Sequence, residues 1–240
     1  MSVSPGVEEE PSSALAVFRN RPFLIIWLSQ VATQVGGNMV LYGLTVLTFS
    51  ASGSSSAVSV LLISFLAPAV LFGALAGVYV DRFDRRLVLV ATSLVRAGLF
   101  FLLAFVGANV GVILLLNLLV SIATTFFAPA ELSVIPFVVP RTQLTAANGI
   151  FTLTLNAAFA VGYTLLGPLL VATAGPTILI GVVAVLYLAS AALCWTLAPA
   201  PPLPLPTGHD TLHDAGAAVG SVIGQLREGM AYVRANPTVA

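Results

Sequence analysis

Long apolar stretches separated by short polar breaks run through most of the chain, at residues 23–49, 57–80, 87–106, 110–127, 144–172 and 177–197. Each is 18 residues or longer, and a helix of ~20 residues crosses the ~30 Å hydrocarbon layer of a bilayer. None alternates apolar and polar positions as a barrel strand does. Helices are therefore predicted, because their backbone hydrogen bonds close within the segment. The breaks are residues 50–56, 81–86, the Gly107-Ala-Asn109 turn, a Pro-rich stretch at 128–143, and 173–176. The break at 81–86 differs from the rest: five of its six residues are charged. The preceding stretch is interrupted by Ser64, and the next begins at once with Leu87. A chain that leaves the bilayer and re-enters so soon forms a tight hairpin whose charges stay in water. The pattern predicts an all-α, multi-pass membrane protein with the lipid bilayer as its solvent.

Composition strengthens this reading. Of the 240 residues, 58% are hydrophobic and 8% charged, beyond the ~45–50% apolar share of soluble domains. Nine basic residues balance nine acidic ones, so net charge gives no reason to expect nucleic acid. Direction follows from arginine. Arg19 and Arg21 precede the first stretch; Arg82, Arg85 and Arg86 follow the second; Arg141 follows the fourth; Arg227 and Arg234 follow the sixth. All share one side, and the opposite loops carry no charge. Basic segments stay cytoplasmic, which predicts the cell (inner) membrane with both termini inside. Glu8, Glu9 and Glu10 stand where a secretory signal would be basic, so the first stretch is expected to be retained. The lone Cys194 sits in an apolar run, can form no intrachain disulfide, and reads as a packing residue. The organisation expected is a cytoplasmic segment at 1–22, a six-helix bundle at 23–197, and a cytoplasmic linker at 198–240. That linker is Pro-rich at 198–206 and then carries Val219, Val222, Ile223, Leu226, Met230 and Val233 at helical spacing, an amphipathic surface helix.

Gly77-Val-Tyr-Val-Asp81-Arg82-Phe-Asp84-Arg85-Arg86 resembles the G-x-x-x-D-R-x-G-R-R loop between helices two and three of the major facilitator superfamily. Phe18-Arg-Asn-Arg21, Pro129-Ala130, Pro140, Leu144, Ala147-Asn148 and Gly167-Pro168 extend the resemblance toward the multidrug and siderophore (enterobactin-exporter-like) branch. The resemblance implies twelve helices in two six-helix halves, each a 3+3 inverted repeat, with substrate held between halves near mid-membrane. This sequence looks like the N-terminal half, and Leu226-Arg-Glu-Gly229-Met-Ala-Tyr232 resembles the segment leading into helix seven. The expected protein is therefore a fragment or truncated reading frame. Its implied partners are a small-molecule substrate and a C-terminal six-helix half, from the same gene or a dimer partner. The activity implied is proton-coupled efflux of amphipathic small molecules or siderophores by alternating access. A non-transporting or dimerising six-helix scaffold is the alternative.

Within that frame, Gly77 allows helix two to approach a neighbour closely. Asp81 acts as an anion at a helix end or in an ion pair, holding the cytoplasmic side closed, while Arg82, Arg85 and Arg86 anchor the hairpin. Asp84 replaces the usual glycine. Asp enters left-handed backbone more readily than most residues, so the turn is expected to survive. Gln30, Gln34 and Asn38 recur every fourth residue on one face. Asn117, Ser121 and Thr125 do the same in the fourth stretch, and the fifth offers Thr152, Asn156 and Tyr163. By resemblance, helices one and four line the cavity and five borders it, so these side chains contact substrate or else join helices by hydrogen bonds of ~0.6 kcal/mol each.

Arg96 lies ~14 Å along its helix from Leu87 and approaches mid-membrane, where insertion costs ~2.5–3.5 kcal/mol without a partner. The sequence offers no acid at that depth, so the expected partner is a neighbouring carbonyl or amide, or an acid in the other half. Glu131 is expected near the cytoplasmic end of the fourth stretch, paired with Arg85, Arg86 or Arg141. Gly167-Pro168 resembles the centre of the antiporter motif, bending helix five, although Val171-Ala172 replaces the following glycine pair and Tyr163 an upstream glycine.

Other activities find little to stand on. His209 and His213, with Asp210 and Asp214, have i, i+4 spacing, but the flanking Pro, Gly and Thr point to a solvated linker instead of a metal site. No nucleophile–base pair lies at membrane depth and no GKS or GKT phosphate loop is present. No enzyme activity, cofactor or metal is expected.

Overall fold

The computed structural model describes residues 14–107, 109–199 and 220. The amphipathic helix expected at 219–233 and the His209/His213 cluster fall outside the described residues, as does the stretch 1–13. A 3-10 turn, Ala14–Arg19, leads into α1 (Arg21–Ser52), followed by α2 (Ser55–Val80), α3 (Arg85–Val106) and α4 (Val110–Val138). After a second 3-10 turn, Arg141–Gln143, come α5 (Leu144–Phe159), a π-helical segment Ala160–Leu166, α6 (Gly167–Ala174) and α7 (Pro176–Trp195). α5, the π segment and α6 run on as one span. Six spans are thus long and apolar enough to cross a membrane, and no strand occurs among the described residues.

Small polar residues start the helices where the sequence needs them. Asn20, Ser54, Asp84 and Asn109 each cap a helix N-terminus, accepting from a backbone N–H two or three residues on. Asn20 also donates to the carbonyl of Val138, tying the start of α1 to the end of α4. Gly53 takes φ +62° and its N–H closes α1 onto the Phe49 carbonyl, the left-handed exit that glycine accommodates.

The fourth span corrects the sequence reading. A Pro-rich break was expected from residue 128, yet α4 continues to Val138 with Pro129 and Pro136 inside it. Each proline removes one backbone bond. The segment is held instead by burial of Ala130, Val134 and Ile135 in the bundle, and membrane helices tolerate internal proline on such terms.

The neighbours follow a repeating scheme. α3 packs on α7 at the centre; α1 packs on α7 as α4 packs on α3; α2 packs on α4 as the fifth span packs on α1. Exchanging the first three spans for the last three leaves these pairings unchanged, as a 3+3 repeat requires. α2 and the fifth span are the outer ones and are largely exposed.

Two apolar clusters fill the interior. One lies toward the 81–86 hairpin and includes Phe23, Ile26, Leu89, Phe127, Val134 and Cys194. The other lies toward the far end and includes Met39, Leu44, Phe100, Leu103, Ile113 and Tyr187. Between them in sequence on α1, α3, α4 and α7 come Ser29, Gln30 and Thr33, then Ser93 and Arg96, then Ser121 and Thr125, then Ser190, all buried. A polar layer therefore crosses the middle of the bundle.

Candidate functional site

At the hairpin, α2 ends and α3 begins within four residues, and the motif side chains divide between the bundle and water. Arg85 is only 1% exposed. Its Nε donates to Ser133 Oγ at 3.0 Å, its Nη2 lies 3.4 Å from Asp81 Oδ1, and its Cζ sits 4.9 Å from the Phe137 ring centroid. Arg86 stacks on Trp195 at 4.6 Å, so both arginines anchor the hairpin, to α4 and to α7. The Asp81 side chain remains 54% exposed. The space beside Gly77 is open as well: a Cβ there would meet no atom within 4 Å.

Asp84 keeps the turn intact by another route than the one expected. Its backbone is extended, φ −61° and ψ 115°, and not left-handed; its carboxylate caps α3 by accepting from the Arg86 N–H at 2.9 Å. Aspartate is among the best N-cap residues, so the motif's glycine can be replaced without left-handed strain.

Arg96 is the centre of the polar layer, 1% exposed. Counted from Arg85, it stands ~16 Å along α3, about halfway. Its Nε donates to the Thr92 carbonyl at 3.2 Å and its Nη2 to Ser93 Oγ at 3.2 Å. Its Cζ lies 4.0 Å from the Phe127 ring centroid and 4.5 Å from that of Tyr187. A chain of hydroxyls continues from Ser93 to Ser190 (3.3 Å), Ser29 (2.7 Å) and the Cys194 thiol (3.2 Å), joining α3, α7 and α1. The carbonyl partner expected for Arg96 is present, and two aromatic faces supplement it, an arrangement guanidinium tolerates well because it is weakly hydrated.

Glu131 is where the structure departs most from the sequence reading. It was expected at an edge, paired with Arg85, Arg86 or Arg141. Continuation of α4 past Pro129 instead turns it inward, 4% exposed, with Oε1 buried and lacking a hydrogen-bond partner. Arg85 is engaged with Asp81 and Ser133, Arg86 with Trp195, and Arg141 is exposed beyond the helix end. Glu131 follows one turn after Phe127, whose ring carries the Arg96 guanidinium, so a buried acid and a buried base occupy neighbouring turns of the same interior.

The amide and hydroxyl faces do not converge on one place. Gln34, Asn38 and Asn117 come together with Arg96, Thr124 and Tyr187 around a cavity of 80 Å³, ample against the ~10–15 Å³ that one water needs. Asn117 also donates to Ser64 Oγ on α2 at 2.9 Å, a hydrogen bond between spans. Gln30 lies apart, its amide donating to the Phe151 carbonyl at 3.3 Å. Ser121 and Thr125 line a groove between α2 and α4, and the Ser121 hydroxyl is buried without a partner. Asn156 is exposed and bonded to its own helix at Thr152, while Tyr163 stacks on Phe159 at 5.2 Å and meets Tyr42 edge-on at 5.6 Å.

In the fifth span, Pro168 follows the π segment, in which the Gly167 N–H reaches back to the Gly162 carbonyl. A Cβ on Gly162 would fall 2.6 Å from the Val35 carbonyl oxygen, and one on Gly167 3.1 Å from Tyr42 Cβ. These two glycines set how closely the span crosses α1. Sequence reasoning missed Gly162, Phe127, Tyr187, Ser93 and Ser190. A signal existed for some of them: Ser93 with Arg96, and Tyr187 with Ser190, are polar pairs three apart inside otherwise apolar runs.

A profile of the Major Facilitator Superfamily matches residues 15–237. The chain belongs to the major facilitator superfamily. It is 30% identical over 139 residues to the uncharacterised MFS-type transporter YkuC of Bacillus subtilis (strain 168), covering 56% of this chain and 32% of that protein. It is 28% identical over 131 residues to macrolide efflux protein A of Streptococcus pyogenes, covering 53% of this chain and 32% of the other. A third relative, macrolide efflux protein A of Enterococcus faecalis, is 35% identical over 101 residues, covering 40% of this chain and 31% of its own length. The matches span about a third of the length of these relatives. The six spans of this chain are those of a multi-pass membrane protein and fit half of a major facilitator fold. Transporters of this family are not in general enzymes.

Proposed function

We propose that this chain forms the N-terminal half of a secondary transporter that exports amphipathic small molecules in exchange for protons, by alternating access. It sits in the cell membrane with both ends inside and closes against a second six-helix bundle. The observation that carries this reading is the Glu131 carboxyl, buried without a hydrogen-bond partner at Oε1, one turn along α4 from the Phe127 ring on which Arg96 rests. A carboxyl in such a place exchanges a proton when one side opens to water, and the change of charge shifts what Arg96 holds. The cavity bearing Gln34, Asn38 and Asn117 supplies the polar contacts for cargo, and its aromatic walls supply the apolar ones. Macrolide efflux relatives support amphipathic cargo; siderophores form a second cargo class in the same reading.

The hairpin is the gate in this scheme. Asp81 and the bare flank of α2 at Gly77 face away from the bundle, placed to meet the companion half and release it during transport. The test is transport of an amphipathic fluorescent dye in everted vesicles, driven by an imposed pH gradient. Glu131→Gln is expected to remove the dependence on the gradient while dye binding persists. Gradient-driven transport at the wild-type rate in that variant would overturn the coupling assignment.

A further inference from the structure

A second site lies at the hairpin end, independent of the transport reading. The start of α1, the end of α4 and the residues after α7 enclose a cleft of 330 Å³. Its walls include Pro22, Val134, Phe137, Val138 and Leu197, and its one charged lining residue among those described is Arg86. The Arg86 guanidinium rests on the Trp195 ring, and its Nε is buried with no hydrogen-bond partner. A π face attracts the charge of a guanidinium but leaves its in-plane N–H donors unanswered. A buried donor without an acceptor points to a group that belongs there. No carboxylate lines the cleft among the described residues, so the missing acceptor is supplied from outside the described bundle.

Phosphate oxygens match the guanidinium fork better than any other common anion. Apolar walls of this extent would be left bare by a free ion, yet suit the glycerol and upper acyl region of a lipid. Trp195, 58% exposed at the end of α7, is of the type that marks headgroup depth. Basic pockets between spans on the cytoplasmic side are a known form of headgroup recognition. We propose that the Arg86 cleft binds an anionic phospholipid, its headgroup phosphate on Arg86 and its chain along Val134 and Phe137.

The test uses the purified full chain in detergent, with thermal melting followed during titration by phosphatidylglycerol, phosphatidylcholine or inorganic phosphate. Phosphatidylglycerol is expected to stabilise at about fivefold lower concentration than phosphatidylcholine, the preference that one cation near the headgroup gives. Arg86→Gln should remove the preference. Ala198→Trp, at an exposed position on the cleft wall, should remove it while keeping the charge. Arg141→Gln, at an exposed position outside the cleft, should keep it. Equal losses in Arg141→Gln and Arg86→Gln would mean diffuse surface charge and overturn the site. Stabilisation by inorganic phosphate equal to that by the lipid would overturn the lipid assignment. So would a wild-type chain that does not discriminate between lipids, as when the chain beyond Pro199 fills the cleft itself.

Discussion

Arg85 and Arg96 belong to the same helix and are equally buried, each 1% exposed, yet they are accommodated by opposite means. Arg85, at the hairpin, meets an aspartate and a serine within hydrogen-bond reach, and that aspartate is half in water. Arg96, at mid-bundle, has a carbonyl, a hydroxyl and two ring faces around it. The hairpin arginine is satisfied locally and serves as an anchor. The central one is satisfied in parts by three spans, α3, α4 and α7, so any change in their spacing changes its environment. Burial of a charge therefore does not distinguish structural from working residues; the distribution of its partners does.

The comparison breaks most visibly at Arg96. Arg96→Met should destabilise the bundle by ~1–3 kcal/mol, because the Ser93 hydroxyl and the Phe127 and Tyr187 ring faces lose the guanidinium they hold, and its effect should not simply add to that of Glu131→Gln. Denaturant unfolding in micelles of the two single variants and the double variant measures the coupling, and strict additivity would show that the two charges do not interact. Gly162→Ala should cost ~1–3 kcal/mol, since the added methyl runs into the Val35 carbonyl rather than a movable side chain; the same unfolding assay reads it, against a near-neutral Gly181→Ala, where a Cβ has open space.

Effects at the hairpin should be smaller. Asp84→Ala should cost ~1 kcal/mol and Asp84→Gly only a few tenths, as loss of a helix cap does. If glycine instead raised the melting temperature, the position would be left-handed after all. Asp81→Asn should change stability by less than ~1 kcal/mol, because its ion pair with Arg85 is exposed on the acidic side and Ser133 retains the arginine. The same variant should abolish dye efflux by the complete transporter at unchanged expression. An unchanged efflux rate would remove Asp81 from the gate.

The spans were legible because lipid imposes a single rule on them, and the hairpin was legible because charge density changes abruptly at Asp81. What could not be read was rotation. Glu131 follows Pro129 closely, and proline looks like an end to a helix in a linear sequence; only the burial of Ala130, Val134 and Ile135 keeps α4 going and turns the glutamate inward. The role of Asp84 was misread for a related reason. Its backbone conformation depends on where α3 begins, two residues earlier than hydrophobicity alone would suggest, since Arg85 and Arg86 are already helical. The polar layer was half visible: Gln30, Arg96, Ser121 and Thr125 announced themselves, whereas Ser93 and Ser190 gained meaning only when α3 met α7.

The π-helical stretch at Ala160–Leu166 puts the two ends of the fifth span out of phase. A π turn takes up one residue more than an α turn, and each residue rotates an α-helix by ~100°. The stripe that faces α1 below the stretch is therefore displaced around the barrel of the helix above it, and no single helical wheel drawn over 144–174 can describe both halves. Shortening this segment by one residue would restore an unbroken α spiral but turn the Gly167 half by ~100° away from Tyr42, so the extra residue is what lets both halves meet α1.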